Sequence, residues 1–349
     1  MSTLKVTSIQ NPSTSSGGVS IDTSGNVTLP RVSSLNGGQL AGMRNRIING
    51  SMAISQRGTV TGIGGTNFPA YTLDRWLYDR TGLGTATISQ GTNTDFGERN
   101  YLAAVSALAA GETLTIEQRI EASNCTDLAG QAVTVSYTVS GEDSTGAPFA
   151  SSRCVLNYAT AGVDNWATET QVGFFDFPVT GTATRITHTF NVPAAATNGL
   201  KLQFVVQKSG ATGDVTINLG TVQLEPGPVA TPFEHRPYGT ELALCRRYYQ
   251  RYSGSTGTGI GTFTRNAGNP TANGINFFGD VGMATVNSVT TKDFTVTDGP
   301  SNATQTGLTA SVTGNAIVVN NISTTGLSAG LIRGRFGSAS SFIAFDGEL

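Results

Sequence analysis

Two tryptophans and their neighbours carry the only side-chain chemistry that stands out along this chain. Trp166 lies in the turn-like stretch VDNWATE, beside Asp164 and Asn165. A flat aromatic face stacks on the C–H side of a pyranose, and flanking Asp or Asn side chains hold its hydroxyls. Trp76 lies in YTLDRWLYDR, with Arg75 beside it and Tyr78 two residues on. The same chemistry applies there, although a large aromatic in mid-strand also has core packing as an alternative. Trp166 has its own alternative, a loop side chain folded over the edge of the fold. The candidate saccharide contacts are therefore Trp166, Asp164, Asn165, Trp76 and Tyr78.

Bond-breaking chemistry is poorly supported. Glycoside hydrolysis needs two facing carboxylates, and Asp164, Glu169 and Asp176 are close enough in sequence to line one edge. Surface solvation is the default reading for all three. The chain holds two histidines. His188 alternates with Ile186 and Phe190 and reads as a half-core residue, and His235 sits in a Pro-flanked linker. No G-x-S-x-G elbow, phosphate-binding loop or H-E-x-x-H pattern is present. No catalytic residue and no cofactor is expected. Cys125, Cys154 and Cys245 are too widely spaced for a zinc motif and read as buried thiols.

Composition fixes the kind of scaffold. Of 349 residues, 44 are Gly and 13% are charged, with a net charge of −2. Strand formers joined by frequent turns fit that balance better than helical bundles do. So neutral a surface gives no electrostatic case for nucleic acid or for anionic membranes. No run approaches the ~20 apolar residues of a membrane span, and the N-terminus shows no secretion signal.

Three regions follow from the pattern. Residues 1–43 hold short alternating pieces around Val6, Val19 and Val27, too short to bury a core alone, so a partner is expected to order them. Residues 44–237 show strand rhythm. Val133, Val135, Tyr137 and Val139 alternate with Thr and Ser, and 112–120, 185–192, 200–206 and 215–219 behave likewise. An antiparallel β-sandwich is expected there, because each strand has one apolar face that needs a facing sheet. Residues 101–110, YLAAVSALAA, suit either helix or buried strand. Residues 238–252 suggest a brief helix capped by Thr240, with Leu242, Cys245 and Tyr249 on one face. Residues 238–349 otherwise read as a second, smaller β domain ending in an apolar strand, Phe342 to Phe345. The fold class is thus all-β, with little helix.

Several of these segments match a known pattern. Asn45–Met52 (N-x-I-x-N-G-x-M), Gln56–Gly58 (Q-R-G) and Tyr71–Trp76 (Y-T-x-D-R-W) resemble the opening of a recurrent bacteriophage and prophage tail-fibre module. Val222–Glu225, Thr231–Arg236, Glu241–Tyr249 and the final FIAFDGEL resemble its close. Residues 1–43 are similar to the attachment segments of cyanophage-type fibres. The resemblance implies a jelly roll like that of carbohydrate-binding modules, carried on a homo-oligomeric fibre, usually a homotrimer. It implies a virion tail protein, assembled in the host cytoplasm and released by lysis. Residues 1–43 would join a baseplate, tail or neighbouring fibre protein. The receptor-facing parts would adhere to host surface polysaccharide without cutting it. Some such jelly rolls hold a structural calcium, but no acidic cluster here identifies one. The alternatives are a collar or decoration protein with no ligand, and a polysaccharide depolymerase.

Overall fold

Two six-stranded antiparallel sheets face each other. The computed structural model describes residues 43–63 and 69–253, and beyond these the backbone of short strands. The sandwich strands are β1 (Val60–Ile63), β2 (Ala70–Tyr71), β3 (Leu77–Arg80), β4 (Ala86–Thr92), β5 (Asn100–Leu108) and β6 (Thr113–Ile120). They continue with β7 (Ala132–Asp143), β8 (Phe149–Ala159), β9 (Glu169–Asp176), β10 (Thr184–Asn191), β11 (Leu200–Lys208) and β12 (Gly213–Pro226). The first sheet runs β10-β7-β12-β5-β4-β1 and the second β9-β8-β11-β6-β3-β2. The chain switches repeatedly between sheets, as in a jelly roll, so β9 and β10 are the two outer edges on one side.

Alternation sets the core. Val133, Val135, Tyr137 and Val139 of β7 meet Leu114 and Ile116 of β6, Leu202, Phe204 and Val206 of β11, and Val215, Ile217 and Leu219 of β12 in one apolar cluster. Residues 100–108 form a strand despite their alanines. Leu102, Ala104, Ser106 and Leu108 are buried in period two, and β5 is paired on both sides, with β4 and β12. Its small residues lower the cost of close sheet packing, and tertiary pairing overrides helix propensity.

Simple alternation fails on the outer face of β7. Thr134, Ser136, Thr138 and Ser140 are buried as well. The segment after β12 folds back over this face: Thr134 Oγ1 donates to Gly227 O at 2.8 Å. Gln223 and Glu225 of β12 bond to Thr231 in the same layer. Short hydroxyls serve here because each finds a partner at close range, which burial requires.

The helix Tyr238–Arg246 begins after Pro237 with no side-chain cap, so Thr240 does not cap it. Of the expected face, Cys245 and Tyr249 are buried, but Leu242 is only half-buried and Glu241 takes the first buried position, with Tyr248 also inside. A carboxylate leads that buried face because it has a specific partner. Glu241 accepts the backbone N–H of Asn49 and pairs with Arg236 at 3.4 Å.

The tail-fibre-like motif residues meet around that helix. Asn45 Nδ2 donates to Val222 O at 3.0 Å, and Asn45 Oδ1 accepts from Ile47 N and Leu224 N. Asn49 bonds Ile54 and the carbonyl of Asp74. Asp74 accepts both the backbone and the side chain of Gln56, whose amide also reaches Tyr249 O at 2.8 Å. Asn49, Met52 and Arg75 all hold left-handed φ, at 57°, 56° and 70°. Three such non-glycine residues in one buried knot are sustained only by this dense bonding.

Beyond the sandwich, strands Ser8–Gln10, Gly18–Ile21 and Val27–Thr28 form a small antiparallel sheet. Tyr249–Ser253 pairs with Phe342–Asp346, which also pairs with Ser288–Lys292. The expected anchoring role of residues 1–43 lies almost wholly outside the described residues. Cys125, Cys154 and Cys245 are free and buried. No helix among the described residues is long and apolar enough to cross a membrane.

Candidate functional site

The outer face of the second sheet holds a row of bonded polar side chains with an aromatic at either end. Its residues come from four strands placed side by side by register. Arg153 pairs with Asp176 and with Val205, Asn157 with Lys201 and Gln171, and Gln203 with Glu117. Apart from Gln118 and Lys208, the inward rows of β6 and β11 are apolar, so their outward rows, Thr115, Glu117 and Arg119 with Lys201, Gln203 and Val205, face away from the core.

These side chains hold one another. Asn157 Nδ2 donates to Gln203 Oε1 at 2.8 Å, and Gln203 Nε2 donates to Glu117 Oε2 at 2.6 Å. Arg119 Nε reaches Glu117 Oε1 at 3.3 Å. Lys201 Nζ sits between two carboxylates, 2.5 Å from Glu169 and 3.8 Å from Glu117. Asn157, Glu117 and Lys201 are themselves buried, so they brace the half-buried Gln203 and Arg119 in set positions before any ligand arrives. Such pre-organisation lowers the entropy lost on binding.

Trp166 closes one end. Its loop is tied down on three sides: Asp164 Oδ1 accepts Ala122 N at 2.7 Å, Asp164 N donates to Asn198 O, and Asn165 Oδ1 accepts Ala167 N. Asp164 adopts φ 53°, a conformation that Asp tolerates better than most residues. The indole is half-buried. A Cβ at position 199, where Gly199 has φ 120°, would lie 3.1 Å from its Cζ2. The Arg119 guanidinium lies 5.8 Å from the ring centroid, within cation–π range. Trp166 thus folds over the sandwich edge and still leaves part of its ring at the surface.

Phe174 closes the other end. A bulge between Leu156 and Asn157 shifts the phase of the β8–β9 pairing. Phe174 therefore faces outward, 43% exposed, with the Arg153 guanidinium 4.4 Å from its ring. Phe175 points to the opposite side, across the open edge of the sandwich, where it stacks on His188 at 4.7 Å and stays 39% exposed. From Glu169 to Asp176 the strand covers about 23 Å at ~3.3 Å per residue. The result is a track long enough for several sugar units.

Two expected contacts are corrected. Trp76 is 0% exposed and Tyr78 1%, so neither can touch a ligand. Trp76 Nε1 donates to Asn49 O at 3.1 Å and Tyr78 Oη bonds Ser106 Oγ at 2.8 Å. Each places its ring in the core and satisfies its polar tip there. Asp164 and Asn165 shape the Trp166 loop with their side chains. Asn157, Glu117, Arg119, Lys201, Gln203, Arg153 and Phe174 were not singled out as contacts from the sequence, because the strands that gather them are distant along the chain.

The carboxylates considered for hydrolysis are each engaged. Glu169 is on Lys201, Asp176 on Arg153 at 3.0 Å, and Asp164 on the backbone of Ala122. No group of three or more His, Cys, Asp or Glu residues suited to a metal ion occurs among the described residues. His188 is half-buried against Phe175 and Tyr137, and burial lowers its pKa.

No protein-family model matches the chain, and no curated protein matches it. Among solved structures, it is similar to the enzymatically active domain of tailspike protein 4 of bacteriophage CBA120, at 14% identity and TM-score 0.33. That match covers 52% of this chain and 21% of the tailspike, so the chain spans about a fifth of that protein's length. It is also similar to a β-sandwich carbohydrate-binding module, at 15% identity and TM-score 0.35, covering 59% of this chain and 71% of that one. A CBM61 module in complex with β-1,4-galactotriose matches at 14% identity and TM-score 0.28, covering 53% and 99%.

Proposed function

We propose that this chain is a non-catalytic adhesive subunit of a bacteriophage tail fibre, which holds host surface glycan along the outer face of the second sheet. The observation that carries the reading is the track itself: Trp166 and Phe174 at its ends, with Gln203 and Arg119 half-exposed between them and braced from beneath by the buried Asn157, Glu117 and Lys201. Aromatic faces suit the apolar side of sugar rings, and fixed amides and charges suit their hydroxyls. The engaged state of Glu169, Asp176 and Asp164 favours holding over cutting.

The fibre assignment rests on the tail-fibre-like motifs. In this reading residues 1–43 join the particle and the subunit works as a homotrimer on the virion tail. Weak single sites then suffice, because identical sites on one particle multiply avidity by roughly 10²–10⁴.

The test has two arms. Purified protein is measured against extracted host surface polysaccharide and against whole host cells, beside the Gln203→Ala variant. Saturable binding by the parent and loss in the variant are expected; a well-folded parent that binds neither would leave only the ligand-free collar reading. In the second arm, particles are assembled with a chain lacking residues 1–43. Exclusion of that chain is expected, and its normal incorporation would refute the anchor.

A further inference from the structure

The track does not stop at Asp176; it opens into a wide cleft between the two sheet edges. The cleft has a volume of about 640 Å³. It lies where the 143–149 turn, the start of β8 and the 176–181 crossover between the two sheet edges come together. Such a volume is within the ~300–1,000 Å³ that holds a bound small molecule.

Its walls carry three kinds of group. Phe149 and Phe177 supply ring surface, Phe149 half-buried and Phe177 buried at the floor. Arg153 and Asp176 stand at the mouth, bonded through one nitrogen and one oxygen. Glu142 and Ser151 line opposite sides. Among the described residues, nothing else bonds the Arg153 terminal nitrogens, the second Asp176 oxygen, the Glu142 carboxylate or the Ser151 hydroxyl.

The floor is built to stay open. Gly141 N donates to Thr180 O at 2.8 Å and Phe177 N to Ser152 O at 2.9 Å, pinning the crossover to both sheets. A side chain at Gly141 would run into Val179 and Thr216. At the back, Asp143 is fixed by Lys208, 2.5 Å from both carboxylate oxygens. The Lys208 ammonium is thereby spent on Asp143, so it adds no positive charge to the cavity.

We infer that this cleft is a terminal subsite that takes the end of a neutral glycan chain whose body lies along the track. The inference rests on the adhesive reading above. Mixed donors and acceptors beside ring surface match a ligand whose hydroxyls both give and take hydrogen bonds. Arg153 is the sole cation on the wall, and Asp176 already engages it. Glu142 and Asp176 therefore repel uronates and other acidic sugars, which selects neutral hexose or N-acetylhexosamine ends. Arg153 and Asp176 belong to both the track and the cleft, so a single chain can occupy both.

The experiment uses full-length protein on an array of defined oligosaccharides, some neutral and some ending in a uronate. Two plugs enter from opposite walls, Glu142→Trp and Ala150→Trp, beside the track variant Gln203→Ala. Folding of each is checked by circular dichroism. The parent is expected to retain neutral-ended chains over uronate-ended ones by at least tenfold. Either plug should abolish that preference and weaken binding about tenfold. Gln203→Ala should weaken all chains and keep the preference. Plugged variants that bind and discriminate like the parent would overturn the subsite and leave the track standing. A parent that binds no oligosaccharide on the array overturns both. Two plugs on separate walls keep the test decisive if one variant fails to fold.

Discussion

Asn49 and Glu241 lie 192 residues apart, yet the backbone N–H of Asn49 donates to the Glu241 carboxylate in a buried site. Arg236 completes the contact from the segment that precedes the helix. Replacing Glu241 by Ala leaves the buried Asn49 amide without its acceptor and takes one carboxylate from Arg236, which keeps Glu234 and the carbonyls of Asn45 and Ile47. Losing one partner of a buried pair typically costs about 3–5 kcal/mol. The expected outcome is a clear fall in the unfolding temperature by calorimetry, with Glu241→Gln falling less because it keeps an acceptor. An unchanged melting profile for Glu241→Ala would show that the contact does not hold these segments together.

Trp166→Ala should weaken binding to host polysaccharide by about tenfold, which corresponds to about 1.4 kcal/mol. Stability should drop only modestly, because the indole is half-exposed and its loop is held by Asp164 and Asn165. Surface plasmon resonance on immobilised polysaccharide gives the first quantity and thermal melting the second. Retained affinity in a stable variant would remove Trp166 from the track.

Trp76→Ala should do the reverse. A fully buried Trp replaced by Ala costs about 3–5 kcal/mol, and here the Asn49 carbonyl also loses one of its two donors, keeping Met52 N. The fraction that remains folded should bind like the parent, since Trp76 faces no solvent. Binding measured per folded molecule, from active-site-independent concentration and circular dichroism, separates the two effects.

Lys201→Met leaves Glu117 buried among Gln203 and Arg119 and frees Glu169 from its bond. A loss of about 3 kcal/mol is expected, because Lys201 and Glu117 are both nearly inaccessible. Glu169→Gln should cost less, since that carboxylate is 31% exposed and water screens the pair. Urea denaturation of the two variants tests the order, and equal losses would contradict the geometry.

His188 makes stability depend on pH. Burial lowers its pKa in the folded state below the ordinary 6.5. The unfolded chain therefore binds the proton more readily, and stability rises with pH through the window below 6.5. Full stability is present above that value and is lost progressively on acidification. The rings of Phe175 and Tyr137 face the imidazole. His188→Phe should flatten this part of the profile, measured by urea midpoints from pH 5 to 7.5. A slope that persists in the variant would assign the effect to another group.

Much of the sandwich was legible because its strands obey a period of two with apolar inner rows. Residues 100–108 became unambiguous only through pairing with both β4 and β12, which local sequence does not contain. The two tryptophans illustrate the harder problem. Both have charged neighbours, and only tertiary packing sends Trp76 inward and leaves Trp166 at the surface. Phe174 and Phe175 were hidden by a bulge that shifts the phase of β9. The polar row was half visible: Glu117, Arg119, Lys201 and Gln203 are the positions left over when the apolar rows are assigned. What could not be read is that β6, β11 and β8 stand side by side, since Glu117 and Gln203 are 86 residues apart. The motif segments were legible as a resemblance, and their buried hydrogen bonds explain their residue types.

The knot joining Asn45, Asn49, Gln56 and Asp74 to Arg236, Glu241 and Tyr249 brings the way into the sandwich beside the way out. Traction applied between the leading and trailing segments would cross those few bonds and bypass the stacked strands. A pull along the polypeptide would then leave the outer face of the second sheet undistorted, and grip under shear would depend on the strength of the knot rather than on the stiffness of the layers.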